Sequence, residues 1–433
     1  VLDWDSGYVS STLGWRWTSQ GSTSMNGRLK EAYIFSTALD SLEIQNLDES
    51  VYQNSESLLA HYKFNAGSGD ILYDHSGNSN HGTIHGATWV ENVEGCMDEL
   101  ACNYNPSANI SDGSCDYSCH ENGDYSLSLN GFDNSIIVDT GPSILGLKEN
   151  LTISAWIKIP SNGNSSGIWN ALIGAWNDYG INLYAGSMQN NGLAQLDIKD
   201  VGSVIGTTDL RDDSWHFIAA VYDGNTMKLF VDGIEENSQN ASGNIPIITN
   251  PTNSFFIGDI NHQASTDEKF IGRIKDITLW NVSLNTYEIT DLMNNIYSSQ
   301  GNGLALHYKF NSGTGNILYD HSGNQNHGTI NGATWVENIQ GCTDETACNY
   351  NELADTDNDS CEYHSGPTWY VTTNGDNNNC GSQDYPFHSI QHAIDSASDG
   401  EEVYVLEGTY YENITFNGKN ISLIGEKKET TII

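Results

Sequence analysis

The chain has 433 residues, which is enough for several domains of ordinary size. It carries 56 acidic and 16 basic residues, for a formal net charge of -40. This charge argues against nucleic acid and anionic membranes as partners, and no stretch is long and apolar enough to insert into a membrane as a helix. The eight cysteines lie in or beside short Asp- and Asn-rich segments. That pattern favours disulfides and an extracellular location, secreted or on the cell surface.

The chain repeats itself with a period of about 246 residues. The segment HYKFNAGSGDILYDHSGNSNHGTIHGATWVENVEGC at 61–96 returns as HYKFNSGTGNILYDHSGNQNHGTINGATWVENIQGC at 307–342. Upstream, GRLKEAYIFSTALDSLEI at 27–44 returns as GRIKDITLWNVSLNTYEI at 272–289. Because the chain begins inside a repeated domain and ends inside a strand-rich run, we expect it to be part of a longer protein.

The repeat also predicts domain boundaries. The second copy of the HYKFN to GATWV segment is followed by a cysteine segment and then by unrelated sequence, so no later domain of the same kind follows it. We therefore expect each copy to close the β domain before it and to cover strand edges; the alternative is that residues 58–94 pack on residues 124–298. The predicted pieces are the tail of a β domain at 1–94, a cysteine segment at 95–119, a complete β domain at 124–338, a second cysteine segment at 341–363, and a different domain at 367–433.

The large repeated domain has the pattern of antiparallel β structure. Apolar and polar residues alternate in SLSLNGF, SIIVDT, LTISAWIKI, HFIAAVY and MKLFVDGI. Asp223-Gly224 and Asp232-Gly233 are dipeptides typical of hairpin turns. Many short strands with few helices predict an all-β fold, a sandwich or jelly roll.

These strands carry a family resemblance. The series LNGFDNSIIVD, LTISAWIK, DDSWHFIAAVYDG, KLFVDG, FFIGD and FIGRIKDITLWNVSLNTYEI resembles the laminin-G-like jelly roll of the concanavalin A-like lectin/glucanase superfamily, over residues 124–298. The resemblance implies two curved sheets packed face to face, with Trp156, Trp215 and Trp280 as core or near-core anchors. Jelly rolls of this kind often hold one Ca²⁺, and turn caps are the alternative role for the candidate ligands. Those ligands are Asp133, Asp139, Asp259 and Asp276.

Catalysis is not expected from this domain. A glucanase on this fold needs paired carboxylates aimed at one glycosidic bond, and the nearest match, LDIKD with Asp197 and Asp200, lacks the family's glutamates and spacing. Sugar binding uses aromatic faces together with amides and carboxylates. The stretch GIWNALIGAWNDYGINLYAG concentrates such groups, with packing or simple exposure as the alternative. The candidate glycan-binding residues are Trp169, Trp176, Asn177, Asp178 and Tyr179, with Tyr184 nearby.

Two repeated motifs contain potential metal ligands. In DHSGNxNHG, the histidines at 75, 81, 321 and 327 lie near an aspartate, but the motif favours a hydrogen-bonded Asx-type loop over a zinc site. The cysteine segments offer oxygen ligands that suit Ca²⁺, with disulfides plus Asx turns as the alternative. These candidates are Asp98, Asp112, Asp344, Asp355 and Asp357. Disulfide pairing stays open among Cys96, Cys102, Cys115 and Cys119, and among Cys342, Cys348, Cys361 and Cys380.

The last part of the chain has a different pattern. Phe387, Ile390, Ala393, Ile394 and Ala397 fall on one face of a predicted short helix. The strands VYVLEG, ITF and ISLIG follow at close spacing. With YPFHSIQHAI and EGTYYENI, this part resembles the opening of a right-handed parallel β-helix of the pectin-lyase-like superfamily, which the chain leaves truncated.

The predicted fold class is therefore all-β, with antiparallel jelly-roll sandwich modules, small disulfide-linked loop segments and a truncated parallel β-helix. The favoured function is non-catalytic carbohydrate binding or adhesion within a large secreted or surface-displayed bacterial protein, with a glycan or another cell-surface ligand as partner. Repetition of such modules raises avidity. One alternative is an ancillary region of a polysaccharide-degrading enzyme whose active site lies in the β-helix. The other is a structural stalk.

Overall fold

The computed structural model describes residues 13, 15–18, 21–45, 47, 57–138, 149–161, 169–174, 180–187, 190–245, 255–259, 269–295 and 303–433. The chain forms two compact units, Val1–Gly95 with Ser107–Ser111, and Cys96–Pro106 with Asp112–Ile433. Helix accounts for 7% of the structure, which confirms the predicted all-β fold class. None of the helices in the described part of the chain has the length and apolarity needed to cross a membrane.

The described residues of the first unit form short strands and one helical turn. In chain order they are β1 (Trp15–Thr18), β2 (Gly21–Ser24), β3 (Ala32–Phe35), α1 (Ser41–Gln45), β4 (Leu58–Tyr62), β5 (Ile71–Leu72), β6 (Gly82–Thr83), β7 (Glu94–Gly95) and β8 (Ile110–Ser111). β1–β2, β3–β4 and β5–β6 pair antiparallel, and β7–β8 pair parallel.

The second unit contains the jelly roll. Its strands and helix, after a 3-10 turn at Ser118–His120, are β9 (Tyr125–Asn130), β10 (Ser135–Val138), β11 (Leu151–Lys158), β12 (Ala171–Gly174), β13 (Ile181–Tyr184), β14 (Gln195–Ile198), β15 (Gly202–Ile205), β16 (Trp215–Tyr222), β17 (Thr226–Val231), β18 (Ile234–Asn240), β19 (Phe255–Ile257), β20 (Ile271–Trp280), α2 (Thr286–Met293), β21 (Leu304–Tyr308), β22 (Ile317–Leu318), β23 (Gly328–Asn331) and β24 (Thr334–Glu337).

These strands form two antiparallel sheets. The first sheet has the order β15-β14-β13-β12-β19-β10-β23-β22, and the second has the order β18-β17-β16-β11-β20-β9-β24, with β21 also paired to β20. Residues 304–337 therefore supply strands to both sheets, through β23 on β10 and β24 on β9. The second copy of the repeated segment therefore adds strands to the sheets formed by the residues before it.

Strand alternation separates the core from the outer faces. On β11, Leu151, Ile153, Ala155 and Ile157 enter the core between the sheets, so the alternate residues Thr152 to Lys158 lie on the outer face of the second sheet. Part of that outer face is covered by α2, whose Ile289 and Leu292 pack with other apolar side chains there. The buried members of this outer cluster are Phe217, Ala219, Val221, Phe230, Trp280, Ile289, Leu292 and Leu304.

The two repeats share their local structure. β3 pairs with β4 through Tyr33 opposite His61, and β20 pairs with β21 through Thr278 opposite His307, with a register shift near the end of each pair. α2 begins at a capping box in which the Asn285 side chain accepts from the Glu288 amide, while the Glu288 carboxylate accepts from the Asn285 amide.

The C-terminal part is parallel and solenoid-like. Its elements are β25 (Gln340–Gly341), β26 (Thr356–Asp357), β27 (Thr368–Val371), α3 (Ile390–Ser396), β28 (Glu402–Val405), β29 (Gly408–Thr409), β30 (Ser422–Gly425) and β31 (Thr431–Ile432). β27-β28-β30, β29-β31 and β25-β26 all pair in parallel. The predicted helix face is buried at Ile390, Ala393 and Ile394, between Phe387 and Ala397. The pectin-lyase-like assignment stays a prediction.

All eight cysteines are paired. The bonds are Cys96–Cys115, Cys102–Cys119, Cys342–Cys361 and Cys348–Cys380. The first bond of each segment is the same in both repeats, whereas the second bond differs. Cys348 reaches Cys380, beyond the segment, and thereby links the second cysteine segment to the parallel domain.

A candidate ligand-binding cleft on the second sheet

A cleft of about 570 Å³ lies on the outer face of the second sheet. Its walls come from β11, β16, β20 and β21, and from the second cysteine segment. A cleft of this volume is within the usual range for small-ligand sites. The lining residues are Asp124, Trp156, Trp215, Lys275, Asp276, Asn295, His307, Lys309, Gln340 and Thr356.

The sheet register places the aromatic and cationic groups side by side. Trp156 lies opposite Lys275 across the β11–β20 pair, and Trp215 lies opposite Lys158 across the β11–β16 pair. Lys275 Nζ is 4.9 Å from the centre of the Trp215 ring, and the Arg273 guanidinium carbon is 5.3 Å from it. These distances are within the range of cation–π attraction, so the two cations hold the Trp215 ring in place.

The three tryptophans predicted as anchors have different environments. Trp280 is 4% exposed and belongs to the outer apolar cluster. Trp156 is half-buried at the edge of that cluster, with its ring 5.6 Å from that of Phe217. Trp215 is also half-buried and lines the cleft. The packing role therefore holds fully for Trp280 and partly for Trp156.

The charged groups of the cleft are paired. Lys275 Nζ lies 3.5 Å from Asp124 Oδ2, and His307 Nε2 lies 3.2 Å from Asp276 Oδ1. Lys309 Nζ lies 3.1 Å from the Glu121 carboxylate at the rim. In a chain of net charge -40, this balance of signs is a local feature of the cleft. Each paired ammonium and carboxylate keeps further donor or acceptor sites for a polar ligand.

The second cysteine segment is fastened over one side of the cleft. Arg273 forms an ion pair with Asp355 and a hydrogen bond to Asn338, and its Nε donates to Ser126 Oγ at 2.8 Å. Lys158 Nζ donates to the Asp355 carbonyl at 3.2 Å. These contacts bring Gln340 and Thr356 to the wall of the cleft.

The calcium candidates of the jelly roll have separate partners. Asp259 is fully buried and forms an ion pair with Lys269. The positive charge of Lys269 would repel a calcium ion at the same carboxylate. Asp133 is exposed and accepts from Asn130 Nδ2 at 2.9 Å in a turn. Asp276 lies in the cleft with His307. Asp139 lies outside the described residues. Calcium binding by these aspartates stays a prediction.

The candidates in the cysteine segments also have defined contacts. Asp112, like Asp357, accepts the amide of the residue two positions later, at 2.9 and 3.0 Å. Asp355 pairs with Arg273. Asp98 and Asp344 each accept a tyrosine hydroxyl, at 2.6 and 2.5 Å. Calcium binding by the segments stays a prediction.

Potential metal ligands come together at one place in the described residues. Cys102, Cys119 and His120 offer ligand atoms within 4.8 Å of one another. The two sulfurs are bonded to each other in a disulfide, so they are not thiolate ligands.

The described parts of the predicted glycan-binding stretch form β12 and β13 of the first sheet. The Trp169 ring is 5.0 Å from that of Tyr184, which is 5% exposed. Asn182, two residues before Tyr184 and on the same outer face, has a buried Oδ1 without a hydrogen-bond donor among the described residues. Trp176, Asn177, Asp178 and Tyr179 lie outside the described residues.

The sequence pointed to Trp156, Trp215 and Asp276, but not to the basic residues of the cleft. Lys275, His307 and Lys309 lie in repeated motifs, but their role depends on which strands become neighbours. One signal was present, since Glu31 occupies the place of Asp276 in the first repeat. Glu31 Oε1 lies 2.6 Å from His61 Nε2, as Asp276 pairs with His307, so the acid–histidine pair recurs.

The DHSGNxNHG loop is organised by its aspartate. The carboxylate of Asp320 accepts backbone amides from His307 at 3.0 Å, Ser322 at 2.9 Å and Asn326 at 2.9 Å. His327 Nδ1 accepts the amide of Asp320 at 3.0 Å, and burial lowers the pKa of His321 to about 3. His327 thus stabilises the loop by a hydrogen bond and His321 is buried within it, as expected for an Asx-type structure.

Residues 130–290 match the laminin-G-type model of the concanavalin A-like lectin/glucanases superfamily. A segment of the chain is 34% identical over 77 residues to the uncharacterized protein YwoF of Bacillus subtilis (strain 168), covering 17% of this chain and 16% of that protein. The chain therefore matches less than a fifth of the length of this curated relative.

Several solved structures are similar to parts of the chain. A candidate carbohydrate-binding protein from Bacteroides ovatus ATCC 8483 is 18% identical, with a TM-score of 0.41, covering 50% of this chain and 60% of that one. The CBM40 module of the Ruminococcus gnavus IT-sialidase, bound to α2,3 sialyllactose, is 15% identical, with a TM-score of 0.32 and coverage of 39% and 95%. The SAP-like pentraxin of Limulus polyphemus is 13% identical, with a TM-score of 0.30 and coverage of 41% and 84%.

Proposed function

We propose that the jelly roll at 124–338 is a non-catalytic carbohydrate-binding module and that the cleft on its second sheet holds the glycan. The observation that carries this proposal is the cleft of about 570 Å³, where two half-buried tryptophans meet paired acidic and basic side chains. Sugars combine apolar ring faces with hydroxyls, so they match walls of this composition. The match of residues 130–290 to a superfamily described by its lectins and glucanases supports the same ligand class.

The roles within the cleft follow from geometry. Trp156 supplies the apolar surface, since both cations of β20 are engaged with Trp215. Lys275 and Asp124, held together at 3.5 Å, donate to and accept from adjacent sugar hydroxyls, as do His307 and Asp276. Because the side chains are already paired, little ordering accompanies binding.

The wider context is part of the proposal. The disulfides and the all-β fold support an extracellular protein. The shared register of the two repeats supports modules in tandem, in which several weak sites act together in adhesion. An ancillary region of a polysaccharide-degrading enzyme is compatible with the same cleft.

The test is a glycan array probed with the full chain and its Trp156→Ala variant. Trp169→Ala is the matched control, because Trp169 marks the aromatic cluster of the other sheet. Loss of one stacked aromatic contact weakens binding by roughly tenfold or more. We expect Trp156→Ala to lose binding and Trp169→Ala to keep it.

The array is read in calcium and in EDTA, which also tests the predicted Ca²⁺ dependence. Loss in Trp169→Ala alone would move the site to the first sheet. Absence of any glycan signal with the unmodified chain would contradict the proposal and favour a structural stalk. Release of new reducing ends from a bound glycan would contradict the non-catalytic assignment.

A further inference from the structure

Asp259 and Lys269 form a deeply buried ion pair in the jelly roll. The side chain of Asp259 is fully buried and that of Lys269 is 9% exposed, whereas the side chains of the Lys228–Glu235 pair are 35% and 34% exposed. Neither Asp259 nor Lys269 lines the cleft on the second sheet. An ion pair at this depth has lost most of the hydration of both charges, which is costly for the folded protein.

The backbone brings the two side chains of this pair together. The Phe270 amide donates to the Gly258 carbonyl at 3.1 Å, so the residues next to the pair are themselves hydrogen-bonded. The Gly258 amide donates to the Leu172 carbonyl at 2.8 Å, and Lys269 forms a parallel bridge with Ala171 of β12. The ammonium and the carboxylate are therefore held in contact by backbone that is already fixed in the first sheet.

The surroundings of the pair are apolar. Ile257, two residues before Asp259, and Phe270, next to Lys269, are both fully buried in the core between the sheets. In such surroundings, charged groups are disfavoured relative to neutral ones. Transfer of one proton within the pair, from the ammonium to the carboxylate, replaces two buried charges by an amine and a carboxylic acid.

We propose that Lys269 and Asp259 become joined in the folded protein by an isopeptide bond, an amide between Lys269 Nζ and Asp259 Cγ. The ammonium gives one proton to the carboxylate, and the neutral amine then attacks Cγ and forms the C–N bond. The C–O bond to the protonated oxygen breaks, and this hydroxyl leaves as water with a second proton from the nitrogen. The two ions thus become one amide and one water molecule, without an oxidant, a reductant or a further reactant.

Three features of the site favour this condensation. A lysine amine removed from water is a stronger nucleophile than a hydrated ammonium. Two groups held in contact also react at an effective concentration far above any that free reactants reach in solution. The product suits the site, because a neutral amide replaces two buried charges. The exposed part of Lys269 gives the released water a path to solvent.

Proximity of a lysine to a carboxylate is not sufficient for this reaction. Lys228 Nζ lies 2.9 Å from Glu235 Oε2, but both side chains are about one-third exposed. Water solvates both of these ions, so the amine stays protonated and has no lone pair for the attack. Burial of Asp259 and Lys269 is therefore the property that distinguishes the reactive pair, and the Lys228–Glu235 pair is an internal control.

The bond ties the two sheets of the jelly roll together. β19 belongs to the first sheet and β20 to the second, and the amide links a residue that follows β19 to one that precedes β20. The four disulfides join cysteines before residue 120 or after residue 341, so the amide is a cross-link within the jelly roll itself. Such a cross-link limits the conformations of the unfolded chain and thereby stabilises the fold.

The experiment is mass spectrometry of the full 433-residue chain, denatured and with its disulfides reduced. The unmodified chain is expected to be lighter than its sequence mass by one water molecule. Lys269→Arg keeps the positive charge of the pair but replaces the amine by a guanidinium, so it is expected to have its full sequence mass. Lys228→Arg, the same change at the exposed pair, is expected to lose one water molecule like the unmodified chain.

Digestion with trypsin locates the bond. Trypsin cleaves after free lysine and arginine, and none lies between Lys228 and Lys269. With Lys269 in an amide, cleavage after it is blocked, so the peptide 229–273 is expected, lighter by one water molecule. The full sequence mass in the unmodified chain, complete cleavage after Lys269, or a loss of water that persists in Lys269→Arg would each overturn the proposal. The peptide map of the unmodified chain decides the matter even if Lys269→Arg does not fold.

Discussion

The attachment of the second cysteine segment to the jelly roll depends on Arg273. Its guanidinium contacts Asp355, Asn338 and Ser126, and the side chains of Arg273 and Asp355 are 17% and 18% exposed. Substitution of Arg273 by alanine removes these bonds and leaves the partly buried charge of Asp355 without its ion-pair partner. The segment remains covalently attached through its backbone and disulfides, so the effect is local opening and not unfolding.

The expected magnitude follows from the contacts. Hydrogen bonds to charged groups contribute about 1.5–3 kcal/mol each, and the desolvation of a half-buried ion pair offsets part of that gain. We expect Arg273→Ala to lower the free energy of local opening by about 2–4 kcal/mol, which raises amide exchange by about thirtyfold to several hundredfold. The cleft would lose its wall at Gln340 and Thr356 in the open state.

The measurement is hydrogen exchange of the Asp355 and Thr356 amides, which donate to the Ile339 carbonyl at 2.9 and 3.3 Å. Arg211→Ala is the control, because Arg211 pairs locally with Asp209, whose side chain is 51% exposed. Exchange that is the same in Arg273→Ala and the unmodified chain would refute the reasoning. So would equal protection of the segment after Asp355→Asn.

Two further predictions concern buried charge and pH. Lys269→Met leaves the fully buried Asp259 without its cation and should cost about 3–5 kcal/mol in urea unfolding. The control Lys228→Met breaks the more exposed pair with Glu235 and should lower the free energy of unfolding by under about 1 kcal/mol. If calcium restored the stability of Lys269→Met, Asp259 would be a calcium ligand and not only an ion-pair partner. Burial would raise the pKa of Asp74, but three backbone amides lower it to about 2, so its stabilisation is present above about pH 4 and is lost as the pH falls through about 2. The His61 amide donates to Asp74, so its hydrogen exchange should become faster as the pH falls from about 4 to about 2. In Asp74→Asn this exchange should be fast at every pH. Exchange that does not change with pH in the unmodified chain would contradict the role of the Asp74 carboxylate.

The strands could be predicted because their determinants are local. Alternation in LTISAWIKI predicts that Ile153 and Ala155 share one face of the strand and that Trp156 lies on the other, and the structure puts the first face in the core. The helix at Ile390–Ser396 follows in the same way from the spacing of its apolar residues. The repeat predicted that the second copy closes the domain before it, because unrelated sequence follows that copy, and residues 304–337 do pair with β9 and β10.

The cleft was decided by the tertiary structure. Trp156, Trp215 and Lys275 are far apart in sequence and meet because β16 and β20 flank β11 in one register. Likewise, the Asx neighbours of Asp355 suggest a calcium ligand, but they could not predict its ion pair with Arg273 of β20. Local periodicity determines on which face of a strand a side chain lies, whereas long-range strand pairing determines which residues become its neighbours. The candidate site of this protein depends on strand pairing.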